Sequence, residues 1–127
     1  MTSMLVPTLR LSEPGLVDWL AGVLGLEVTE RTPTDDGGLA HAQLWLGDAQ
    51  LLMASTTGMV ELPTGVASLY LAFDDESEVR RRFARAEAAG ATVVMAPTAM
   101  DYGGINATFR DPDGNLWSLG TYLPARS

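Results

Sequence analysis

A chain of 127 residues falls within the size of one ordinary domain, and its 46% apolar and 19% charged residues give the balance of a soluble globular protein. It has no cysteine, which excludes disulfides, thiolate metal sites and a cysteine nucleophile, and suits a reducing cytoplasm. A net charge of −8 argues against nucleic acid as a partner, and with no basic leader or apolar run near the ~20 residues that cross a bilayer, neither a signal peptide nor a membrane is expected.

Thr8 to Leu11 alternates polar and apolar, the clear part of a strand beginning near Val6. Ser12 is placed to cap a helix with Pro14 in its first turn. Leu16, Trp19, Leu20 and Val23 then recur at helical spacing as one buried face, and Gly25 ends it. Strands follow over about 26–31, 39–46 and 49–55, with Gly47-Asp48 in the last turn. Segment 56–66 has a loop's composition. The second half repeats the order. A strand over 68–73 precedes a helix capped by Asp74 or Asp75, striped by Val79, Phe83 and Ala86, and closed by Gly90. Strands over about 92–96, 105–110 and 116–121 complete it. Asp111-Pro112-Asp113-Gly114 joins the last two with Pro and Gly where a type I turn prefers them, so turn chemistry accounts for its two carboxylates. The order is βαβββ twice, an α+β architecture. A single domain over residues 1–127 is expected, with modules at about 4–56 and 66–123. Each sheet would pack one face on its helix and leave the other to be solvated or to enclose something.

The stretch Tyr102-Gly103-Gly104 with Phe109-Arg110-Asp111-Pro112-Asp113-Gly114-Asn115-Leu116-Trp117-Ser118 resembles the closing segment of glyoxalase/bleomycin-resistance proteins, the vicinal-oxygen-chelate superfamily. His41-Ala42-Gln43-Leu44 with Gly47-Asp48, and Leu24-Gly25-Leu26-Glu27-Val28, are similar to its first-half signatures. The resemblance covers nearly the whole chain. It implies paired βαβββ modules forming a cupped mixed sheet around a pocket, and a homodimer. The superfamily spans lyases, epimerases, dioxygenases, antibiotic-modifying enzymes and non-catalytic drug-sequestering proteins, so the fold leaves function open.

Enzymes of the superfamily hold a divalent metal with His, Gln or Glu from the first strand of each module and from the last strand. Carried onto this chain, those positions read Ser118, where a Glu is usual, Ser68, and Val6 or Thr8. A hydroxyl or a valine does not replace imidazole or carboxylate donors, and His41, the one histidine, cannot build a site alone. Neither a metal nor another cofactor is expected.

Alternation sets Leu39, His41, Gln43 and Trp45 on one face of the third strand and Ala40, Ala42, Leu44 and Leu46 on the other. The uniformly apolar set belongs against the first helix, so the first set faces the pocket. By the same reasoning Thr8, Arg10, Ser68, Tyr70 and Ser118 face inward. Leu9, Leu11, Leu69, Leu71, Phe73, Trp117 and Leu119 join the core, and Tyr102 stands on a flexible rim over 96–104. The candidate ligand-binding residues are therefore Arg10, His41, Gln43, Trp45, Tyr70, Tyr102 and Ser118. Plainer readings accompany them. His41 is otherwise a hydrogen-bonded strand residue, Trp45 and Tyr70 cover a dimer seam, and Arg10 either receives an anionic group or pairs with an acid. Met53, Met59, Met95 and Met100 form an adaptable apolar surface or simply core. Arg80, Arg81, Arg82 and Arg85 read as a solvated face of the second helix. Residues 1–62 hold two Arg against eight acids, which serves solubility or makes an acidic groove that attracts a cationic ligand.

No nucleophile elbow, P-loop or dinucleotide fingerprint is present. The leading expectation is a cytoplasmic homodimer that binds a small molecule without metal, in the manner of antibiotic-sequestering members, with no catalytic residue assigned. The alternatives are a vicinal-oxygen-chelate enzyme (lyase, isomerase or dioxygenase) with an atypical metal site or none, and an interaction module whose pocket is filled by its own side chains.

Overall fold

In the computed structural model, which describes residues 3–57 and 62–125, two units are formed, Met1–Gly65 and Val66–Ser127. Met59 lies outside the described residues. The first unit contains β1 (Thr8–Arg10), α1 (Gly15–Leu24), β2 (Glu27–Pro33), β3 (Leu39–Leu46) and β4 (Gln50–Ser55). Its sheet runs β1-β4-β3-β2, with β1 parallel to β4 and the other pairs antiparallel. Leu9, Leu39, Ala42, Leu44, Leu52 and Ala54 of the sheet are buried together with Leu16, Val17, Leu20, Val23 and Leu24 of α1. Each fully buried Leu or Val stabilises by about 1.5–3 kcal/mol, so this one face carries most of what holds the unit together.

Three local expectations are corrected here. Pro14, already in helical conformation at φ −63° and ψ −29°, occupies the N-cap of α1, and no side chain caps that end, so Ser12 stands too early to do so. Trp19 is half-buried, while Val17 and Leu24 are fully enclosed, because the buried stripe of α1 is wider than four residues and centred away from Trp19. Leu39 belongs to the core and Ala40 is exposed. The reason is a bulge: Thr32 pairs with His41 and Pro33 with Leu39, so Ala40 is the extra residue and the alternation changes phase there. From His41 onward the expected facing holds. Gly25 closes α1 at φ 71°, its N–H bonded to the carbonyl of Ala21, a left-handed position that favours glycine.

The second unit repeats the plan with β5 (Ser68–Ala72), α2 (Glu76–Ala88), β6 (Thr92–Ala99), β7 (Ile105–Arg110) and β8 (Leu116–Gly120), ordered β5-β8-β7-β6 with β5 parallel to β8. Ile105, Ala107, Phe109, Trp117 and Leu119 are buried with Val79, Phe83 and Ala86 of α2, and the Phe83 and Phe109 rings meet edge to face at 6.5 Å. Leu69, Leu71 and Phe73, expected in the core, are half-buried. Asp75 rather than Asp74 caps α2, accepting from the Ser77 N–H at 2.9 Å.

The arginines of α2 are not uniformly solvated. Arg80 pairs with Glu76, and Arg81 and Arg82 both pair with Glu78, but Arg82 is only 12% exposed and lies 4.3 Å above the Phe73 ring. The rim over 96–104 is also more regular than expected. β6 continues to Ala99 through two register shifts, and the Met100 N–H closes the hairpin onto the Gly104 carbonyl. Among the described residues no helix is long and apolar enough to cross a membrane.

Candidate functional site

In the first unit the sheet face opposite the buried one carries Thr8, Met53, Gln43 and Glu30 in one row across the four strands, with Arg10 beside Ser55 and Trp45 between Leu51 and Glu27 on either side of it. A cleft of about 240 Å³ opens on this face. Arg10 and His41 line it, with Thr8, Met53, Ser55 and Leu62 among the other wall residues, and none of the described lining residues is acidic. The described wall thus carries one cation and no acid, where the charge distribution of residues 1–62 had allowed an acidic groove.

Arg10 donates from Nη1 to the Leu62 carbonyl at 3.4 Å, at the long end of hydrogen bonding. The Gln43 amide nitrogen lies 3.2 Å from His41 Nε2. The contact ties the imidazole to Gln43, with donor and acceptor roles set by the His41 tautomer. Gln43 thus orients the imidazole without lining the cleft itself. Trp45, half-buried, continues the same face beyond it.

In the second unit the corresponding face sets Tyr70, Ser118, Thr108 and Met95 in one row. Ser118 Oγ and Thr108 Oγ1 share a hydrogen bond at 3.0 Å. Tyr70 crosses Gly120, where an added Cβ would stand 2.7 Å from its hydroxyl, and donates that hydroxyl to the Tyr122 carbonyl at 2.6 Å. Partial burial and, after it, the neighbouring Tyr102 raise the Tyr70 pKa above the usual phenol value. The Tyr102 and Tyr122 rings meet edge to face at 5.9 Å, and all three tyrosines keep exposed ring surface.

The seven candidates therefore fall into two groups: Arg10, His41, Gln43 and Trp45 in the first unit, and Tyr70, Tyr102 and Ser118 in the second. Sequence reasoning missed Met53, Ser55 and Leu62 as cleft residues and Gly120 and Tyr122 as the seat of Tyr70. Register from β1 to β4 gives Met53 and Ser55. Leu62 lies in the connecting segment, and Tyr122 acts through its backbone, so residue type and alternation do not mark them.

The turn that carried the family resemblance is structural. Asp111, buried, accepts at Oδ1 from the backbone N–H of Asp113 and Asn115, and at Oδ2 from Asn115 Nδ2 and Trp117 Nε1. Asn115 Oδ1 in turn accepts from the Ala67 N–H. Every strong acceptor position of this carboxylate serves the fold.

Residues 15–119 match the profile of the Glyoxalase/Bleomycin resistance protein/Dioxygenase superfamily. The chain belongs to that superfamily. Among solved structures, TioX from Micromonospora sp. ML1 is similar at 28% identity and a TM-score of 0.77, covering 96% of this chain and 100% of its own. TnmS3, an antibiotic binding protein from Streptomyces sp. CB03234, is similar at 22% identity and a TM-score of 0.74, covering 97% and 98%. Lactoylglutathione lyase from Agrobacterium tumefaciens is similar at 20% identity and 0.71, covering 95% and 94%. No curated protein sequence matches the chain.

Superfamily enzymes hold a divalent metal, and the residues here do not fit one. Ser68, one of the expected ligand positions, pairs with Leu116, and the residue beside Ser118 across the parallel ladder is Tyr70. In the first unit the equivalent parallel ladder sets Thr8 beside Met53. These are hydroxyls and a thioether, with Ser118 already bonded to Thr108. Among the described residues no group of three or more His, Asp or Glu is placed to hold a metal ion.

Proposed function

We propose that this chain is a metal-free small-molecule-binding protein, of the kind that sequesters an antibiotic or similar organic compound, acting as a single domain and as a homodimer in the cytoplasm. The observation that carries the reading is the cleft of the first unit. It combines an apolar wall with two polar groups, Arg10 and an imidazole held by Gln43, and among the described residues no group of three or more His, Asp or Glu is placed to hold a metal ion. At about 240 Å³ the cleft lies below the ~300–1,000 Å³ usual for drug-sized ligands, so it holds one end of the compound. Trp45 and Gln43 extend the contact along the same sheet face, while Tyr70, Tyr102 and Ser118 offer a second surface of stacking rings and hydroxyls. The antibiotic-binding protein TnmS3 has the same fold, which supports the reading without deciding it.

Sequestration works by mass action and needs no chemical step. At a hundredfold excess over Kd a ligand stabilises by about 2.7 kcal/mol, a rise of several degrees in Tm. A thermal-shift screen of antibiotics against the purified protein, with recovered compounds weighed by mass spectrometry and the protein by elemental analysis, tests this. The expected outcome is a compound that raises Tm and returns unchanged, with no stoichiometric transition metal. Chemical conversion of the stabilising compound, or about one Ni, Zn, Mn or Fe per chain after dialysis, would favour the enzyme instead. Light scattering at micromolar concentration checks the dimer, whose apolar cover would come from exposed side chains such as Leu5, Val66 and Leu123.

A further inference from the structure

We infer that the cleft of the first unit takes the carboxylate end of an amphipathic organic acid, held by the Arg10 guanidinium with His41 as a second polar group. This rests on the binding role proposed above and names the class of its ligand.

The described wall of the cleft carries Arg10 and no acid, in an otherwise acidic chain. Residues 1–62 contain two arginines in an excess of acids. Arg31 is committed, pairing with Asp18 at 2.7 Å. Arg10 makes no ion pair among the described residues, and its one hydrogen bond to them is the long one to the Leu62 carbonyl. A guanidinium has five N–H donors, so most of its capacity is unspent where it enters the cleft. None of the described lining residues is acidic, and Thr8, Ser55 and Thr57 add hydroxyls to the wall. His41, tied to Gln43, adds an imidazole to the same wall. Among the described lining residues a cation would meet Arg10 with no acid beside it, and an anion would meet donors.

A carboxylate fits better than a phosphate. The guanidinium fork matches two oxygens of one carboxylate, and its single charge balances one negative charge, not two. Leu9, Met53, Ala54 and Leu62 supply apolar surface for the carbon skeleton next to the head group. The cleft volume suffices for that head and its first ring or chain, with the remainder directed along the face that carries Trp45.

The test uses the full chain and four probes of nearly equal shape: 2-naphthoate, 2-naphthamide, 2-naphthylmethylammonium and 2-naphthyl phosphate. Titration is followed by NMR through the Arg10 Nε–H and backbone signals of β1 and β4. The naphthoate should bind tightest, by roughly tenfold over the amide, with the Arg10 signal shifting saturably. Raising the salt should weaken the naphthoate and leave the amide unchanged. Arg10→Gln should bring the two within about twofold of each other, and Arg10→Lys should retain part of the preference, since charge survives and the fork does not. If Arg10→Gln folds poorly, the salt series on the parent chain still decides. Preference for the ammonium, the amide or the phosphate, or discrimination that survives Arg10→Gln, overturns the carboxylate assignment while leaving small-molecule binding standing. Failure of all four probes to reach this cleft at millimolar concentration removes both.

Discussion

Gly120→Ala gives the sharpest test of how the second unit holds its aromatic surface. A Cβ at this position would lie 2.7 Å from the Tyr70 hydroxyl, 2.9 Å from its Cε1 and 3.1 Å from Asn106 Oδ1. Contacts that short require movement, and the mobile partner is the tyrosine ring, which is 42% exposed and free to swing outward. Swinging out breaks the 2.6 Å hydrogen bond to the Tyr122 carbonyl, a net loss of about 0.5–1.5 kcal/mol. Overpacking adds a penalty of about 1–3 kcal/mol, reduced here because the ring can escape, so we expect a total of about 1–2 kcal/mol. The assay is urea denaturation of the parent chain, Gly120→Ala, Tyr70→Ala and the double variant. In the Tyr70→Ala background the added methyl has nothing left to displace except the Asn106 carbonyl, and Gly120→Ala should cost only a few tenths of a kcal/mol. If the glycine substitution costs as much without Tyr70 as with it, the ring is not what the missing Cβ accommodates, and the assignment of Gly120 as its seat fails.

Three further outcomes are expected. Trp117→Ala should destabilise by about 3–5 kcal/mol, because a fully enclosed indole is lost along with a donor to the buried Asp111. Trp45→Ala should cost clearly less stability and instead weaken an aromatic ligand by roughly 1–3 kcal/mol; equal melting of the two variants with unchanged affinity would place Trp45 in the core, not on the binding face. Acidification should loosen the start of α2. The Asp75 carboxylate, lowered below its ordinary value by the Ser77 N–H it accepts, contributes its cap above the unfolded-state pKa and loses it as pH falls through the lowered one. Hydrogen exchange at the first turn of α2 should rise over that window in the parent chain and not in Asp75→Asn, whose amide caps at any pH; identical profiles would mean the cap carries no pH dependence.

The sequence announces β3 residue for residue because its apolar positions are strict from Ala42 to Leu46. It hides the bulge at Ala40 because a bulge is a property of two strands, and the partner here ends in Pro33. The start of α1 departs from expectation for a related reason: Ser12 is a good capping residue, but Pro14 enters the helix with its backbone already set and takes the terminus without a side-chain bond. Arg10 and His41 were legible as residues of the open face from alternation alone, since both sit on strands with one apolar face. Leu62 was not, because its place in the cleft depends on how a connecting segment returns over the sheet. Tyr122 was invisible for a different reason, since it anchors Tyr70 through a carbonyl that any residue possesses.

The parallel ladders show how the chain keeps the superfamily's fold while its open-face residues differ from the usual metal ligands. In each unit one parallel pair brings two side chains next to each other on the face away from the helix: Thr8 with Met53, and Tyr70 with Ser118. Stability depends on the other face, where Leu9, Ala54, Trp117 and Leu119 are buried. Alternation keeps the two sets on opposite sides, so substitutions at these four positions alter what the open face can bind with little effect on the core. The turn before β8 shows the same separation within a few residues. Asp111 is held by four hydrogen bonds inside the fold, whereas Ser118, seven positions later on the open face, bonds only to Thr108 among the described side chains. Acidic substitution tests the separation: Ser118→Glu places a carboxylate where the superfamily's enzymes carry one, and the half-exposed site beside Tyr70 should tolerate it at a cost below about 2 kcal/mol. Asp111→Ala strips a buried network and should cost more than about 3 kcal/mol. Comparable losses in the two variants, measured by denaturation, would mean that the open face shares the burden of stability and that its residues were not free to change.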